Sequence, residues 1–190
     1  AVYLKHNRIA VIFNPVGGSA RDGLIDKLEA ACRSRGLELV KLTTTAAPGS
    51  AMELARKAAA DSEKPVDVVI ACGGDGTACQ AAEGLMDTDL PLAVFPAGTG
   101  NLFARAFYAS PEPDRFLDMI VNGHAQTIDM IRLSSQDQEG KSHEQLFLVA
   151  VGLGKVSDAI SGASPRMKRL FGKLTYVVRV AAACFKPNPV

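Results

Sequence analysis

Val66-Asp67-Val68-Val69-Ile70-Ala71-Cys72-Gly73-Gly74-Asp75-Gly76-Thr77 is an apolar run that ends in a glycine-rich turn. Val66 to Cys72 is broken only by Asp67, the pattern of a strand covered on both faces in a parallel sheet. The glycines free the backbone for a turn, and Thr77 to Met86 continues as a helix. The same order recurs upstream. Ile9-Ala10-Val11-Ile12-Phe13 is a buried strand closed by Asn14-Pro15. From Ala20 to Arg35, Leu24, Ile25, Leu28, Ala31 and Cys32 recur at helical spacing, and Gly36 stops the helix. Leu37 to Thr43 and Leu92 to Phe95 are further strands, and Ala51 to Ala60 is a further helix introduced by Gly49-Ser50. Strands alternating with helices at this pitch predict an α/β fold, a doubly wound parallel sheet.

Three glycine-rich turns follow strands in this pattern: Asn14-Pro15-Val16-Gly17-Gly18-Ser19, Gly73-Gly74-Asp75-Gly76-Thr77 and Pro96-Ala97-Gly98-Thr99-Gly100-Asn101. In a parallel sheet such turns gather along the carboxyl edge, where ligands bind. Glycine lets backbone approach a ligand, and the helix that follows offers free N–H groups and a positive dipole end. Together they describe a phosphate site. Asp75 says more, because a bare carboxylate repels phosphate and needs a metal ion, a water or a substrate hydroxyl to answer it. Phosphoryl transfer uses such a group to orient a nucleophile. The charge of Asp75 is therefore expected to serve chemistry and to have no part in folding. None of the three turns contains Lys, so the pattern G-x-x-x-x-G-K-[ST] is absent and a P-loop ATPase is excluded.

Near Asp129 the rhythm changes. Gln126 to Leu133 and Gln145 to Val151 read as strands joined by the polar loop Ser134 to Glu144, with no helix between them. That predicts a hairpin, hence an antiparallel element and a new domain. Pro111 to Gly123 is the helix leading into it. Two strands and a short apolar helix are too little for an independent antiparallel domain. The expected division is a complete domain over residues 1–128 and the unfinished beginning of a second over residues 129–190.

Bulk properties narrow the partners. The 190 residues are 47% hydrophobic and 22% charged, as in a soluble globular protein. A net charge of +1, no Trp and 6% aromatic residues argue against nucleic acid as a partner. Cys32, Cys72, Cys79 and Cys184 show no C-x-x-C spacing, which fits a reducing compartment. Ala1 to Arg8 lacks the apolar core of a signal peptide. The stretch Leu174 to Phe185 contains Arg179 and is shorter than the about 20 residues a bilayer needs. A cytoplasmic location is expected. His6, His124 and His143 lack ligand spacing and read as surface residues, while Cys72 reads as core.

Gly73-Gly74-Asp75-Gly76-Thr77, followed by Pro96-Ala97-Gly98-Thr99-Gly100-Asn101-Leu102-Phe103-Ala104-Arg105, resembles the diacylglycerol kinase/sphingosine kinase superfamily. The resemblance is to its soluble bacterial lipid kinases, distant relatives of NAD kinase. Asn14-Pro15-x-Gly17-Gly18 is similar to the opening motif. Ile128-Asp129 and Leu170-Phe171-Gly172-Lys173-Leu174-Thr175-Tyr176 are similar to the start of the second domain and to a later helix. The resemblance implies a Rossmann-like first domain, a mainly antiparallel β-sandwich second domain, and ATP in the cleft. Carried over by position, nucleotide contacts fall on Thr45, on Gly73, Gly74, Asp75, Gly76, Thr77 and Cys79, and on Thr99. Asn14, at the tip of the first strand, and Asn101 would reach the same phosphates. The family usually has x-Asn-Glu after Gly-Gly-Asp-Gly-Thr, and here Ala78 is followed by Cys79 and Gln80. The magnesium-binding acids and a second acidic base implied by the resemblance lie beyond the position of Val190.

The implied activity is transfer of the γ-phosphoryl group of ATP, with Mg2+, to a hydroxyl of a diacylglycerol-like or sphingoid-like lipid, with Asp75 as the catalytic group. The partners are then the lipid substrate, a transient membrane surface and, through the apolar face of Leu174 to Phe185, further copies of the chain. NAD kinase is the near alternative, although its motif differs around Pro96 to Asn101. A nucleotide-binding module without catalysis is the other. Plainer structural roles stand beside these. Gly17-Gly18 makes a tight turn, Thr45 a solvated turn and Asn101 a helix N-cap. Arg166, Lys168, Arg169 and Lys173, interleaved with Met167, Leu170 and Phe171, suit either an interfacial helix on anionic lipid or a solvated helix packed on the second domain.

Overall fold

The computed structural model describes residues 4–15, 23–98, 100–107, 111–137 and 139–148. Four parallel strands, β1 (Arg8–Phe13), β2 (Glu38–Thr43), β3 (Val68–Gly73) and β4 (Leu92–Pro96), form one sheet in the order β2-β1-β3-β4. Helices α1 (Leu24–Arg33), α2 (Ser50–Ala60), α3 (Asp75–Leu85), α4 (Leu102–Phe107) and α5 (Pro113–Asn122) surround it. A hairpin of β5 (Ile131–Gln136) and β6 (Ser142–Phe147) follows. Residues up to Leu148 make one compact unit. This is the α/β parallel sheet expected from the strand–turn–helix rhythm, followed by the first antiparallel strands of a second sheet.

The two-residue period of β1 and β3 sorts the core into two layers. Ile9, Val11, Val68, Ile70 and Cys72 face α1 and α5, where Leu28, Phe116 and Leu117 complete a cluster of large side chains. Phe95 meets Phe116 edge-on with ring centroids 5.0 Å apart. Ala10, Ile12, Val69 and Ala71 face α2 and α3, and this layer is built largely of alanine: Ala51, Ala55, Ala78 and Ala81. Small side chains let α2 and α3 approach closely. At Gly84 a β-carbon would lie 2.8 Å from that of Ala55 and overlap the Met52 carbonyl oxygen.

Asp67, the lone break in the apolar run, lies just outside β3 and fastens the amino edge. Its carboxylate accepts the backbone N–H groups of Lys5, His6 and Arg8 at 2.8–3.1 Å. The structure differs from the sequence expectation in α3, in the hairpin strands, which lie at Ile131–Gln136 and Ser142–Phe147, and in α4, which that expectation lacks. The helix expected from Thr77 starts at Asp75, because Gly74 alone makes the turn and serves as its N-cap. The hairpin loop is shorter than Ser134 to Glu144. Asp137 accepts the N–H groups of Glu139 and Lys141 through Oδ1, and Gly140 takes φ +79°. Polar residues pair here because every position of β5 is exposed, so no face demands apolar alternation. Val16 to Asp22 and everything after Leu148 lie outside the described residues. The segments Arg166 to Lys173 and Leu174 to Phe185 are among them.

Candidate active site

Parallel strands deliver their carboxyl ends to one edge, and the register brings the turns level. Phe13 pairs with both Thr43 and Cys72, Cys72 with Phe95, and Gly73 with Pro96. Three bonds carry the ladder one step past the strands. Asn14 N–H donates to Cys72 O (3.3 Å), Thr44 N–H to Phe13 O (2.9 Å) and Ala97 N–H to Gly73 O (3.2 Å). Asn14, Thr45, Gly73 to Thr77, and Gly98 with Asn101 therefore share the carboxyl edge. Thr99, Gly17 and Gly18 lie outside the described residues.

Three glycines in these turns differ in what surrounds them. A β-carbon on Gly73 would sit 2.5 Å from Thr77 Oγ1, whose buried side chain packs back against the strand end. A β-carbon on Gly98 would overlap the Gly74 α-carbon and lie 2.9 Å from its nitrogen, so these two turns touch backbone to backbone. Gly76 is different. It is exposed, its φ is not positive, and none of the described residues lies within 4 Å of where its β-carbon would be. Neither packing nor backbone strain asks for glycine there.

Three amides open the same helix. The first α-helical bond of α3 runs from Ala78 N–H to Gly74 O at 3.1 Å, so the N–H groups of Asp75, Gly76 and Thr77 precede the ladder. With the positive end of the helix dipole they have the chemistry to receive an anion.

The Asp75 carboxylate does have a structural partner, contrary to the sequence expectation. Oδ1 accepts Phe103 N–H at 3.0 Å and so caps α4 from 28 positions away. No local signal could have revealed it. Oδ2 lies toward Gly100, 3.1 Å from the place of that residue's β-carbon. Asn101, at φ +51°, bonds Gly98 twice: Oδ1 accepts Gly98 N–H and Nδ2 donates to Gly98 O, both at 2.7 Å. Its side chain braces the third turn instead of capping α4 directly. Thr45 is exposed, and its hydroxyl accepts Ala47 N–H at 3.2 Å while its own N–H donates to Ser50 Oγ at 3.0 Å.

Cys79 and Gln80, the two departures from the family pattern, point to either side of α3. Gln80 Oε1 accepts Ala51 N–H at 3.3 Å and caps α2. The Cys79 thiol donates to Leu146 O on the hairpin at 3.0 Å. Burial pushes this thiol's pKa above its ordinary value, against the lowering expected for a thiol near a helix start. Cys72, buried in the sheet, is pushed up to about 12 by desolvation, which agrees with its reading as core. Concavity alone would point elsewhere. A groove of about 560 Å3 lies at the far ends of α2 and α3, lined by Arg56, Gly84, Asp87 and Arg132, and it includes none of the glycine turns.

Comparison with known proteins identifies the family and the fold. The pattern of the diacylglycerol kinase catalytic domain matches residues 8–133. A diacylglycerol kinase of Mycobacterium tuberculosis is 29% identical over 189 residues, covering 96% of this chain and 57% of its own. A diacylglycerol kinase of Bacillus subtilis is 31% identical over 181 residues, covering 90% of this chain and 54% of its own. The chain thus spans about half the length of the curated relatives it matches. The crystal structure of a diacylglycerol kinase from Bacillus anthracis shares the fold, with a TM-score of 0.56 at 24% identity, over 73% of this chain and 46% of that one.

Proposed function

The chain belongs to the diacylglycerol kinase catalytic domain family, and from that premise we propose that it forms the nucleotide-binding part of an ATP- and magnesium-dependent lipid kinase. The observation that carries the nucleotide part is Gly76: an exposed glycine at the start of α3, facing open space, beside three N–H groups outside the helical ladder. That arrangement fits a phosphate chain. Among the described residues no group of His, Cys, Asp or Glu is placed to hold a metal ion. The magnesium part of the proposal rests on the family resemblance alone.

In this proposal the amides of Asp75, Gly76 and Thr77 hold phosphate oxygens, and the Gly74–Gly98 contact fixes the spacing of the two central turns. Asn14, Thr45 and Thr99 border the same phosphates, and Asn101 keeps Gly98 in place. ATP, when bound, supplies the γ-phosphoryl group. Asp75 uses Oδ1 to hold α4 and leaves Oδ2 to accept the proton of the lipid hydroxyl, orienting its oxygen toward that group. The lipid is diacylglycerol-like or sphingoid-like, met at a membrane surface. The second domain, which we place from residue 129 onward, opens with the β5–β6 hairpin. The test is incubation of the full-length protein with γ-labelled ATP and a panel of diacylglycerols, sphingoid bases and NAD. Label in a lipid product supports the proposal, and label in NADP or in no product overturns it.

A further inference from the structure

We propose that Cys79 is a positioning residue that latches the β5–β6 hairpin to α3, the helix whose N-terminus forms the phosphate seat, so that the placement of the hairpin follows that helix. The latch has two ends. The thiol donates to Leu146 O at 3.0 Å, and the Leu148 backbone N–H, two residues further along the chain, acts on the sulfur to lower its pKa against the larger raising effect of burial. Leu146 O and Leu148 N–H are the groups through which an extended strand would pair with a neighbour. A single side chain of α3 takes that neighbour's place.

Packing supports the same junction. The Leu148 side chain joins the alanine-rich layer that contains Ala78 and Ala81 of α3. On the other side of α3, Gln80 fixes the start of α2 through Ala51 N–H. The second turn of α3 is thus bonded on both flanks while its first turn faces the candidate phosphates. A side chain whose polar atom is already engaged by the hairpin is poorly placed to serve as a nucleotide contact. Cys79 instead transmits the position of the seat to the segment that begins the second sheet.

The activity readout rests on the lipid-kinase reading, whereas the exchange and binding readouts do not. Hydrogen exchange at the Leu148 amide and ATP affinity by calorimetry are measured on the full-length protein, on Cys79→Ala and on Cys79→Ser. Serine keeps a donor and an acceptor at this position. Cys79→Ala is expected to speed Leu148 exchange about tenfold, the effect of one lost hydrogen bond, and Cys79→Ser to restore it in large part. ATP affinity is expected to stay within about twofold in both variants. If the kinase reading holds, Cys79→Ala lowers kcat with KM for ATP unchanged. Unchanged Leu148 exchange in Cys79→Ala, or ATP affinity that falls with the substitution, overturns the latch. Absent lipid turnover by the unmodified protein overturns the kinase reading and leaves the other two measurements to decide this one.

Discussion

At the residue scale, two pairs of substitutions separate chemistry from folding. Asp75 holds Phe103 N–H through Oδ1, an acceptor that asparagine also offers. Asp75→Asn should keep the cap and the melting temperature within a few degrees, while phosphoryl transfer is lost with the charge. Asp75→Ala should lose transfer and also about 1 kcal/mol of stability, because the α4 amide loses its partner. Thermal melts beside a labelled-ATP assay check both, and equal melting losses in the two variants would refute the capping account. The second pair concerns glycines. Gly76→Ala places a methyl group in open space at the start of a helix, so stability should hold or rise by about 0.5 kcal/mol. ATP affinity should fall at least about tenfold. Gly98→Ala drives a β-carbon into the Gly74 backbone, and unfolding by urea should show a loss of about 2 kcal/mol. A stable Gly98→Ala, or a Gly76→Ala that binds ATP as before, would show that these turns are packed otherwise.

At the element scale, the two faces of the sheet are built by different means. The α1 and α5 face uses large side chains, with Arg35 at the end of α1 bonded to Asp114 and Asp118 of α5 at 2.8 Å each. The α2 and α3 face uses alanine and Gly84, and close approach of backbones replaces side-chain bulk. Gly84→Val should therefore cost about 3 kcal/mol, since the new side chain meets the Met52 carbonyl and Ala55, neither of which is a flexible tip. Denaturant titration would read it. The same change should also weaken ATP binding, because α3 carries the proposed phosphate seat and would be pushed off α2. Loss of stability with ATP affinity intact would mean that the seat is insensitive to the packing of its helix.

At the scale of the whole molecule, pH and chain length give two further tests. Cys32 and Cys72 are pushed up to about 11 and about 12 by burial, while an exposed thiol titrates near about 8.5. The folded state keeps these protons above pH 9 and the unfolded state releases them. Their effect on stability is absent below about pH 8.5, and stability falls as pH rises from there toward 11. Between pH 8 and pH 10 Cys72 alone should account for about 2 kcal/mol of that fall. Urea unfolding of the protein and of Cys72→Ala across this range should show the shallower slope in the variant; parallel slopes would deny the thiol its buried, protonated state. The hairpin leaves Ile131 and Leu133 exposed, at 56% and 37%. Residues 1–190 on their own are thus expected to bind ATP weakly, self-associate and turn over no lipid, as sedimentation and the labelled-ATP assay would show.

What the sequence by itself determined was local: strands with a two-residue period, helices with a 3.6-residue period, glycine turns directly after strands, and the antiparallel hairpin after Asp129. These are legible because each depends on neighbours only a few residues away, and because a parallel sheet sends the turns to one edge whatever the order of its strands. The order β2-β1-β3-β4 was decided only in three dimensions. So were the cap that Asp75 gives α4, the paired hydrogen bonds of Asn101 with Gly98, the close approach of the Gly74 and Gly98 backbones, and the turn of Cys79 toward Leu146. The long-range contacts among these join residues from 24 to 67 positions apart, and no periodicity encodes a pairing across such distances. Asn101 and Gly98 are near in sequence, but their bond depends on a positive φ that composition does not announce. Glycine at residue 76 could be read from the sequence. That no described residue fills the space beside it could be seen only once the fold had closed around the turn.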